Sequence, residues 1–309
     1  MRLEQERKRG REVPCGAALS RSYASGYSAN SVALGWPGRP VLDRGRFVRF
    51  VEGRRTALVL EDGGEEIRAA LLEGAGCVPL ETEGRGRLLR FPYKGGYGLI
   101  RTYLRGGVVR HFLKDRYLLD NRPFRELALH SYAYEKGLSV PKPLGVCWER
   151  NGPWFRGAIA AIEVDAINLL DYLRTVGSNS CSTVGQSDRS DTSDRSDLEA
   201  TLRDCGLLIR RMHDLGIWHA DLQLRNILVG VEGPLLIDLD KARVRGSLGS
   251  WRRARNLLRL RRSFQKWDLP DVHFQRLCHG YGMEELPALL DRLYRAKGVL
   301  SDVLSGRRQ

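Results

Sequence analysis

Two neighbouring stretches decide the fold of this chain: Gly216–Val229 reads GIWHADLQLRNILV, and Leu235–Asp240 reads LLIDLD. Each contains an apolar run of three residues, and each run is bordered by polar residues that can bind ligands. The first run follows Asn226 and the second precedes Asp238. Apolar runs of this length, separated by a glycine- and proline-containing turn, predict two buried strands joined as a hairpin. A hairpin brings the residue before its first strand close to the residue after its second, so Asn226 and Asp238 are expected to lie side by side.

The residues around this hairpin have the side chains that phosphoryl transfer requires. Asp221 provides a carboxylate that can orient a hydroxyl group and accept its proton, and Asn226 and Asp238 provide the oxygen ligands that Mg²⁺ prefers. The spacing is also that of a kinase signature, H-R-D-L-x-x-x-N followed by D-F-G, which here reads HADLQLRN followed by DLD. Aspartate and asparagine are common turn residues, but ordinary turns do not account for the complete set. The spacing therefore predicts a catalytic loop and a Mg²⁺ site.

Length and composition limit the remaining possibilities. The chain has 309 residues, 42% of them hydrophobic, which suffices for one large or two modest domains. Its formal charge of +14 indicates an anionic partner such as nucleic acid, an anionic membrane or a phosphorylated substrate. The six cysteines are scattered without metal-ligand spacing, so we expect reduced thiols and no zinc site. We also expect no secretory signal and no membrane-spanning segment.

The pattern along the chain predicts an α+β fold with two lobes. We expect a partly ordered extension at 1–45, then an N-lobe at 46–160 built from a small antiparallel sheet and one main helix, and a mostly helical C-lobe at 161–309. Strands are expected at 46–51, 56–60, 88–91, 97–103 and 157–163, and helices at 122–137, from 169 onward, at 198–215 and, interrupted at Pro270, at 251–309. The serine- and aspartate-rich segment 177–197 is predicted to be a disordered insertion.

Taken together, these features resemble the lipopolysaccharide sugar kinases, including those that act on 3-deoxy-D-manno-octulosonic acid (Kdo), which have a protein-kinase-like fold. The resemblance covers about 82–267, and its segments include GRG at 84–86, LIRTYLRGG at 99–107, DRYL at 115–118, FREL at 124–127, GLSVPKP at 137–143, the stretch 219–240, and NLLRLRRS at 256–263 behind Trp251. The resemblance implies an enzyme that uses ATP and Mg²⁺ to phosphorylate the sugar of Kdo-lipid A. It also implies a peripheral location at the cytoplasmic face of the inner membrane.

Candidate nucleotide-binding residues lie in the N-lobe. Gly84 and Gly86 can form a turn over the ATP phosphates, although an ordinary hairpin would also use them. Protein kinases hold the phosphates with a lysine paired to a glutamate on the next helix. Arg101 occupies the corresponding strand, and arginine keeps the positive charge of the lysine but changes its geometry. Glu126 is the expected partner of Arg101, although the two residues could also form a plain surface ion pair. Glu163 ends a buried strand and is expected near the adenine, with its backbone making the contact.

Two further residues of the catalytic loop have alternative roles. Arg225 can neutralise charge on the transferred phosphate, or it can form a salt bridge to Asp221 or to the surface. His219 is expected to hydrogen-bond within the loop rather than to act as an acid or base. Ala220 and Asp240 replace an arginine and a glycine of the protein-kinase signature, which argues against a regulated protein kinase.

The segment 241–270 is strongly basic. It contains ten lysines and arginines and a single acidic residue, Asp268. A basic amphipathic helix here can contact an anionic membrane surface or bind the phosphates and carboxylates of a lipid A head group. A solvated face on a helix with a buried apolar side is compatible with both. Nucleic acid is not the partner that we expect, because no aromatic-rich binding motif accompanies the charge.

Three functions remain open at this point. The first is an ATP-dependent kinase of the Kdo sugar in Kdo-lipid A. The second is another small-molecule kinase of the same fold, of the heptose or aminoglycoside type. The third is a non-catalytic scaffold that binds anionic lipid, against which the presence of Asp221, Asn226 and Asp238 argues.

Overall fold

The computed structural model describes residues 46–81, 88–102, 117–118, 121–151, 154–179 and 190–283. Within these residues the chain forms a lobe with a large antiparallel sheet, followed by a mostly helical lobe. Each lobe has its own hydrophobic core. One core lies between the large sheet and its helices, and the other lies among the helices that follow. The expected α+β architecture is therefore confirmed.

The large sheet has eight strands. They are β1 (Phe47–Glu52), β2 (Arg55–Leu60), β3 (Val78–Leu80), β4 (Leu88–Tyr93), β5 (Gly96–Thr102), β6 (Tyr117–Leu118), β7 (Pro143–Asn151) and β8 (Trp154–Ile162). Their spatial order is β1-β2-β7-β8-β5-β4-β3, with β6 paired to β8, and all pairs are antiparallel. The register pairs Arg101 of β5 with Ile159 of β8 and with Leu88 of β4, so these three side chains share one face of the sheet.

A helix that the sequence pattern did not predict, α1 (Gly64–Glu73), follows β2. Glycines in the left-handed conformation stand at both of its ends, Gly63 with φ 79° and Gly74 with φ 74°. Its first turn is acidic, which suits the positive end of the helix dipole. Ile67, Ala70 and Leu72 are buried, so packing holds this short helix in place. In the part of the N-lobe that the structure describes, there are therefore two helices rather than one.

The second helix, α2 (Arg122–Glu135), lies where it was expected. Asn121 caps it by accepting a hydrogen bond from the Phe124 backbone N–H at 3.2 Å, and Pro123 occupies its first turn. Its buried face includes Leu127 and, unusually for an acidic residue, Glu126. A glutamate is almost never buried without a partner, so α2 carries a functional group as well as a packing surface.

The helical lobe begins after β8. Its elements are β9 (Ala166–Asn168), α3 (Leu169–Asn179), α4 (Ser190–Asp214), β10 (Ile217–Trp218), β11 (Ile227–Gly230), β12 (Gly233–Leu236), β13 (Arg243–Val244), α5 (Ser250–Lys266) and α6 (Asp271–Tyr281). The predicted hairpin is confirmed as β11 and β12, and β9 pairs with the outer side of β11. The predicted interruption at Pro270 is also confirmed, since α5 ends before it and α6 begins after it.

The prediction of a disordered insertion at 177–197 was wrong at both of its ends. Residues 177–179 are the last of α3, and 190–197 form the first two turns of α4, whereas 180–189 lie outside the described residues. The helix is anchored by Leu198, Leu202 and other apolar residues of its later turns. Once such a helix exists, each residue added to its end gains a backbone hydrogen bond in return for being ordered. Polar composition alone therefore does not prevent the helix from extending.

The helices α4 and α6 cross at very short range. A Cβ atom on Gly206 would meet the backbone of α6 at Leu277, and one on Gly280 would meet the backbone of α4 at Arg203. At these two positions the backbones of α4 and α6 are therefore in direct contact, which only glycine permits. Among the described residues, no helix is long and apolar enough to cross a membrane.

Candidate active site

The loop between β10 and β11 is held by the ring of His219, which is fully buried. The backbone N–H of Asp221 donates to its Nδ1 at 3.2 Å, so Nε2 carries the proton and donates to the Ile237 carbonyl at 3.2 Å. Burial lowers the pKa of His219 and keeps the ring neutral. His219 therefore ties the loop to the residue before Asp238, as its expected hydrogen-bonding role requires.

Asn226 closes the other end of this loop. Its Nδ2 donates to the Asp221 carbonyl at 2.7 Å, so its Oδ1 points away from that carbonyl. Its own carbonyl accepts a hydrogen bond from the Ile237 N–H at 3.0 Å, so the β11–β12 pairing continues one residue beyond the strands. Asp238 is the next residue along the chain. The hairpin thus places Asn226 beside Ile237, the residue that precedes Asp238. That Asn226 and Asp238 share one cation stays a prediction.

Asp238 adopts the left-handed conformation, with φ 60° and ψ 58°. This region is unfavourable for residues with a side chain, although aspartate tolerates it better than most, and such strain concentrates at functional sites. The Asp238 side chain is 33% exposed and its Oδ1 accepts a hydrogen bond from Arg101 at 2.7 Å. The turn therefore presents a carboxylate to the large sheet rather than to bulk solvent.

Arg101 connects two carboxylates. One of its terminal nitrogens contacts Asp238, and the other contacts Glu126 of α2 at 2.5 Å. The Glu126 side chain is only 2% exposed, so its carboxylate has lost most of its contact with water. The ion pair with Arg101 compensates for that loss. The predicted pairing of Arg101 with Glu126 is present, and the contact with Asp238 extends it across the two lobes.

The donor set fits a magnesium ion. Asn226 offers an amide oxygen and Asp238 a partly exposed carboxylate, and Mg²⁺ is usually held by one or two carboxylates together with substrate phosphates and water. Arg101, whose guanidinium already contacts Asp238, is placed to bind an anion delivered to the same point. When bound, the ion would supply charge neutralisation for the phosphates.

The cation beside Asp221 is Arg259 of α5. Its Nη1 lies 3.3 Å from Asp221 Oδ1 and also donates to the Ala220 carbonyl. Arg225, the arginine proposed from the sequence, instead lies over the ring of Trp267, 5.2 Å from its centroid. Arg259 is therefore a cation that the sequence reasoning did not place beside the predicted base, and the role of Arg225 at the transferred phosphate stays a prediction. A helical arginine 38 residues away could not be assigned to Asp221 from spacing alone.

Glu163 follows β8, where the chain passes from one lobe to the other. Its backbone N–H donates to the Tyr97 carbonyl at 2.9 Å, and its carboxylate pairs with Arg90 at 2.7 Å. The Arg90 guanidinium in turn lies over the Tyr97 ring, 3.5 Å from its centroid. The contact of this segment with a nucleotide base stays a prediction. Gly84 and Gly86, between β3 and β4, lie outside the described residues.

A buried polar network behind the loop was not predicted. The Asn256 amide, on α5, donates to the His219 carbonyl at 2.6 Å and accepts from the His219 N–H at 3.3 Å. Its Oδ1 also accepts from His213 Nε2 at 3.0 Å, and the Tyr281 hydroxyl donates to His213 Nδ1 at 2.8 Å. The available signal was a single asparagine between apolar residues on the buried face of an amphipathic helix.

A second contact missed by the sequence pattern involves Asp240. Its carboxylate forms an ion pair with Arg122 at the start of α2, and both side chains are largely buried. Asp240 stands where the protein-kinase signature has glycine, and this ion pair gives the departure a structural reason. The segment that carries Asp238 is thereby attached to the helix that carries Glu126.

Comparison with known proteins gives matches to one family of kinases. The model of the "Lipopolysaccharide kinase (Kdo/WaaP) family" matches residues 76–281. The 3-deoxy-D-manno-octulosonic acid kinase of Xanthomonas euvesicatoria pv. vesicatoria (strain 85-10) is 33% identical over 194 residues, which is 61% of this chain and 70% of that protein. The kinase of the same name from Xylella fastidiosa (strain M23) is 30% identical over 251 residues, 76% of this chain and 93% of that protein.

Among solved structures, "WaaP in complex with acyl carrier protein" matches with a TM-score of 0.46 and 15% identity, covering 76% of this chain and 88% of that one. The family match spans both lobes and every described residue proposed for the site. The chain belongs to the lipopolysaccharide kinase (Kdo/WaaP) family.

Proposed function

We propose that this protein transfers the γ-phosphoryl group of ATP to a hydroxyl of the Kdo sugar in Kdo-lipid A. The observation that carries the proposal is the Arg101 fork, which joins Glu126 of α2 to Asp238 beside the 219–226 loop. Family membership and the names of the relatives supply the sugar. In this proposal Arg101 is the cation that binds the phosphates, and Asn226 and Asp238 are the oxygen ligands for a metal. Asp221 is the carboxylate that faces the acceptor.

In this proposal Asp221 orients the acceptor hydroxyl and takes its proton as the new bond from oxygen to the γ-phosphorus forms. The bond between that phosphorus and the bridging oxygen breaks, and ADP leaves with the electron pair. Asn226 and Asp238 would hold Mg²⁺, and Arg101 would bind the phosphates. His219 stays neutral and keeps the loop in position. Catalysis then rests on positioning and charge stabilisation.

We further propose that the reaction takes place at the cytoplasmic face of the inner membrane, where a lipid-linked sugar and ATP can meet. The protein would associate there peripherally. The basic segment 241–270, which contains α5, supplies positive charge that suits either the anionic membrane surface or the acceptor itself.

The test is a transfer assay with the purified protein, radiolabelled ATP, Mg²⁺ and Kdo-lipid A, with the product identified by mass spectrometry. We expect one phosphoryl group on the Kdo sugar. Asp221→Asn keeps the size of the side chain but cannot take a proton, so it should lower kcat by about 10²–10⁴-fold with little change in ATP binding. Undiminished activity of this variant would contradict the assignment of Asp221 as the base.

An acceptor panel separates the proposed function from the alternatives. Transfer to a heptose or an aminoglycoside, with none to Kdo-lipid A, would keep the kinase but change its substrate. Nucleotide binding without transfer to any acceptor would instead support a scaffold.

A further inference from the structure

One face of α5 carries a continuous row of positive charge. Its members are spaced by three, four, three and four residues and are all exposed: Arg252, Arg255, Arg259, Arg262 and Lys266. With 3.6 residues per turn, this spacing keeps them within one narrow strip of the helix surface, about 20 Å long. We call these five residues the α5 cation row.

The row cannot turn towards the core, because the opposite side of α5 is fixed. Ala254, Leu257, Leu260 and Phe264 on that side are fully or almost fully buried in the helical lobe. Asn256, on the same side, is hydrogen-bonded to the 219–226 loop. Rotating the helix would expose this apolar surface, so the outward direction of the cations is a consequence of the fold.

The middle of the row meets the predicted base. Arg259 contacts Asp221 Oδ1 at 3.3 Å and the Ala220 carbonyl, so the hydroxyl-orienting carboxylate lies against the centre of the strip. Arg255 and Arg262 lie four residues before and three after it, about 5–6 Å away along the helix axis. The cations are therefore arranged on both sides of the place where the acceptor hydroxyl must come.

An anionic acceptor needs such an arrangement. The Asp221 carboxylate would repel the phosphates or carboxylates of an acceptor, and the cation row more than compensates for that single negative charge. Arginine binds both kinds of anion through a planar fork of donors. A row serving only the membrane would have no reason to be centred on the base.

We propose that the α5 cation row is the acceptor-binding surface, where Arg255, Arg259 and Arg262 bind the phosphate and carboxylate groups flanking the hydroxyl to be phosphorylated. This inference rests on the proposed function, because it assigns the acceptor side of the same site. It predicts that acceptors lacking these anionic groups bind weakly, even if they carry the same hydroxyl.

The experiment uses the double variant Arg255→Gln/Arg262→Gln, which leaves Arg259 and the loop untouched. We expect KM for Kdo-lipid A to rise about tenfold or more, which is the effect of about 1.4 kcal/mol, while KM for ATP stays the same. Arg49→Gln is the matched control, since Arg49 is an exposed arginine of β1 outside the helical lobe. An unchanged KM for the acceptor in the double variant would overturn the inference.

A binding measurement keeps this inference separate from the proposed function. Titration calorimetry with deacylated, soluble Kdo-lipid A should show binding to the native protein and about tenfold weaker binding to the double variant, whether or not phosphate is transferred. Binding with no transfer would sink the proposed function and leave the acceptor surface standing. Equal binding by both proteins would sink the acceptor surface alone.

Sedimentation with phosphatidylglycerol vesicles that contain no Kdo tests the membrane as the occupant. If the double variant loses vesicle binding while its affinity for the soluble acceptor stays native, the row belongs to the membrane and the inference is wrong. If it loses affinity for the soluble acceptor, the inference holds, with or without a change in vesicle binding.

Discussion

Arg101 is the residue that we propose in place of the phosphate-binding lysine of protein kinases. A lysine presents a compact point charge, whereas the guanidinium fork presents several donors in fixed directions. Arg101 uses two of its nitrogens to reach Glu126 and Asp238 at the same time. With Glu126 buried behind it, the cation is held in place. We propose that its contact with Asp238 is exchanged when Mg²⁺ and phosphate bind.

The first prediction concerns this exchange. In Glu126→Gln the buried side chain keeps its shape but loses its charge, so Arg101 interacts more strongly with Asp238. Arg101 then competes better with Mg²⁺. We expect the Mg²⁺ concentration for half-maximal activity to rise roughly fivefold, equivalent to about 1 kcal/mol, in a Mg²⁺ titration at saturating ATP.

Glu135→Gln is the control for this titration, because Glu135 is in the same helix and its carboxylate pairs with Arg46, at 3.5 Å, instead of with Arg101. The Mg²⁺ requirement of Glu135→Gln should be native. If Glu126→Gln is less stable but has a native Mg²⁺ requirement, Glu126 serves the fold and does not set the balance at Asp238.

At the scale of single elements, the sequence predicted what is local and missed what is not. The β11–β12 hairpin, the capped helix α2 and the break at Pro270 follow from periodicity, capping residues and proline within short windows. The helix α1 was missed because it begins and ends at glycines and has no side-chain cap. The start of α4 was missed because its polar turns are stabilised by residues further along the same helix.

The residues of the candidate site fall into the same two groups, those set by local sequence and those set by packing. Asp221, Asn226 and Asp238 could be predicted because they lie on one hairpin and its loop. Asn256, Arg259 and the Arg122–Asp240 pair depend on how α5 and α2 pack against that hairpin, and a single sequence contains no measure of those distances. Arg225 was a candidate because it follows Asp221 closely in the sequence, whereas the contact of Arg259 with the same carboxylate depends on the packing of α5.

The second prediction concerns Asn256 as a positioning residue of α5. Asn256→Ala removes the amide that holds both backbone groups of His219 and leaves buried polar groups without a partner, at a cost of about 1–3 kcal/mol. Because the loop carrying Asp221 then loses its support, we expect kcat to fall roughly 10- to 100-fold while KM for ATP changes little. Steady-state kinetics and urea unfolding measure the two effects.

The exposed amide of Gln265, on the same helix, supplies the control Gln265→Ala, which should change neither quantity. Asn256→Asp distinguishes positioning from general destabilisation. Its carboxylate can still accept hydrogen bonds from the His219 N–H and from His213, but its charge should raise the pKa of His213 and give kcat a new dependence on pH. If Asn256→Ala loses stability with native kcat, the network has only a structural role.

At the scale of the whole molecule, α2 joins the two lobes at three points along its length. Arg122 at its start pairs with Asp240, Glu126 reaches Asp238 through Arg101, and the Tyr132 hydroxyl near its end donates to the Leu215 carbonyl at 3.2 Å. Any shift of this helix therefore changes the surroundings of Asp238. Direct contacts therefore couple the position of α2 to the proposed Mg²⁺ site.

The last prediction concerns the stability of the whole fold towards acid. Burial lowers the pKa of His213 and that of His130 from an ordinary value near 6.5 to about 4 in the folded protein. Between these values the unfolded chain binds more protons than the folded one, so the free energy of unfolding must fall as the pH drops from about 6.5 to 4. Each histidine accounts for a loss on the order of 3 kcal/mol over that window.

The variant His213→Gln isolates one of these contributions. A glutamine can donate to Asn256 Oδ1 and accept from the Tyr281 hydroxyl, as His213 does, but it cannot gain a proton. We expect its unfolding free energy, measured with urea between pH 7 and 4.5, to fall less steeply than that of the native protein. Near pH 5 the slopes should differ by the contribution of one proton, about 1.4 kcal/mol per pH unit. His279→Gln, which alters an exposed histidine of α6, should keep the native slope. Parallel curves for the native protein and His213→Gln would show that protonation of His213 does not drive the loss, and the acid sensitivity would then have to come from another buried group such as His130.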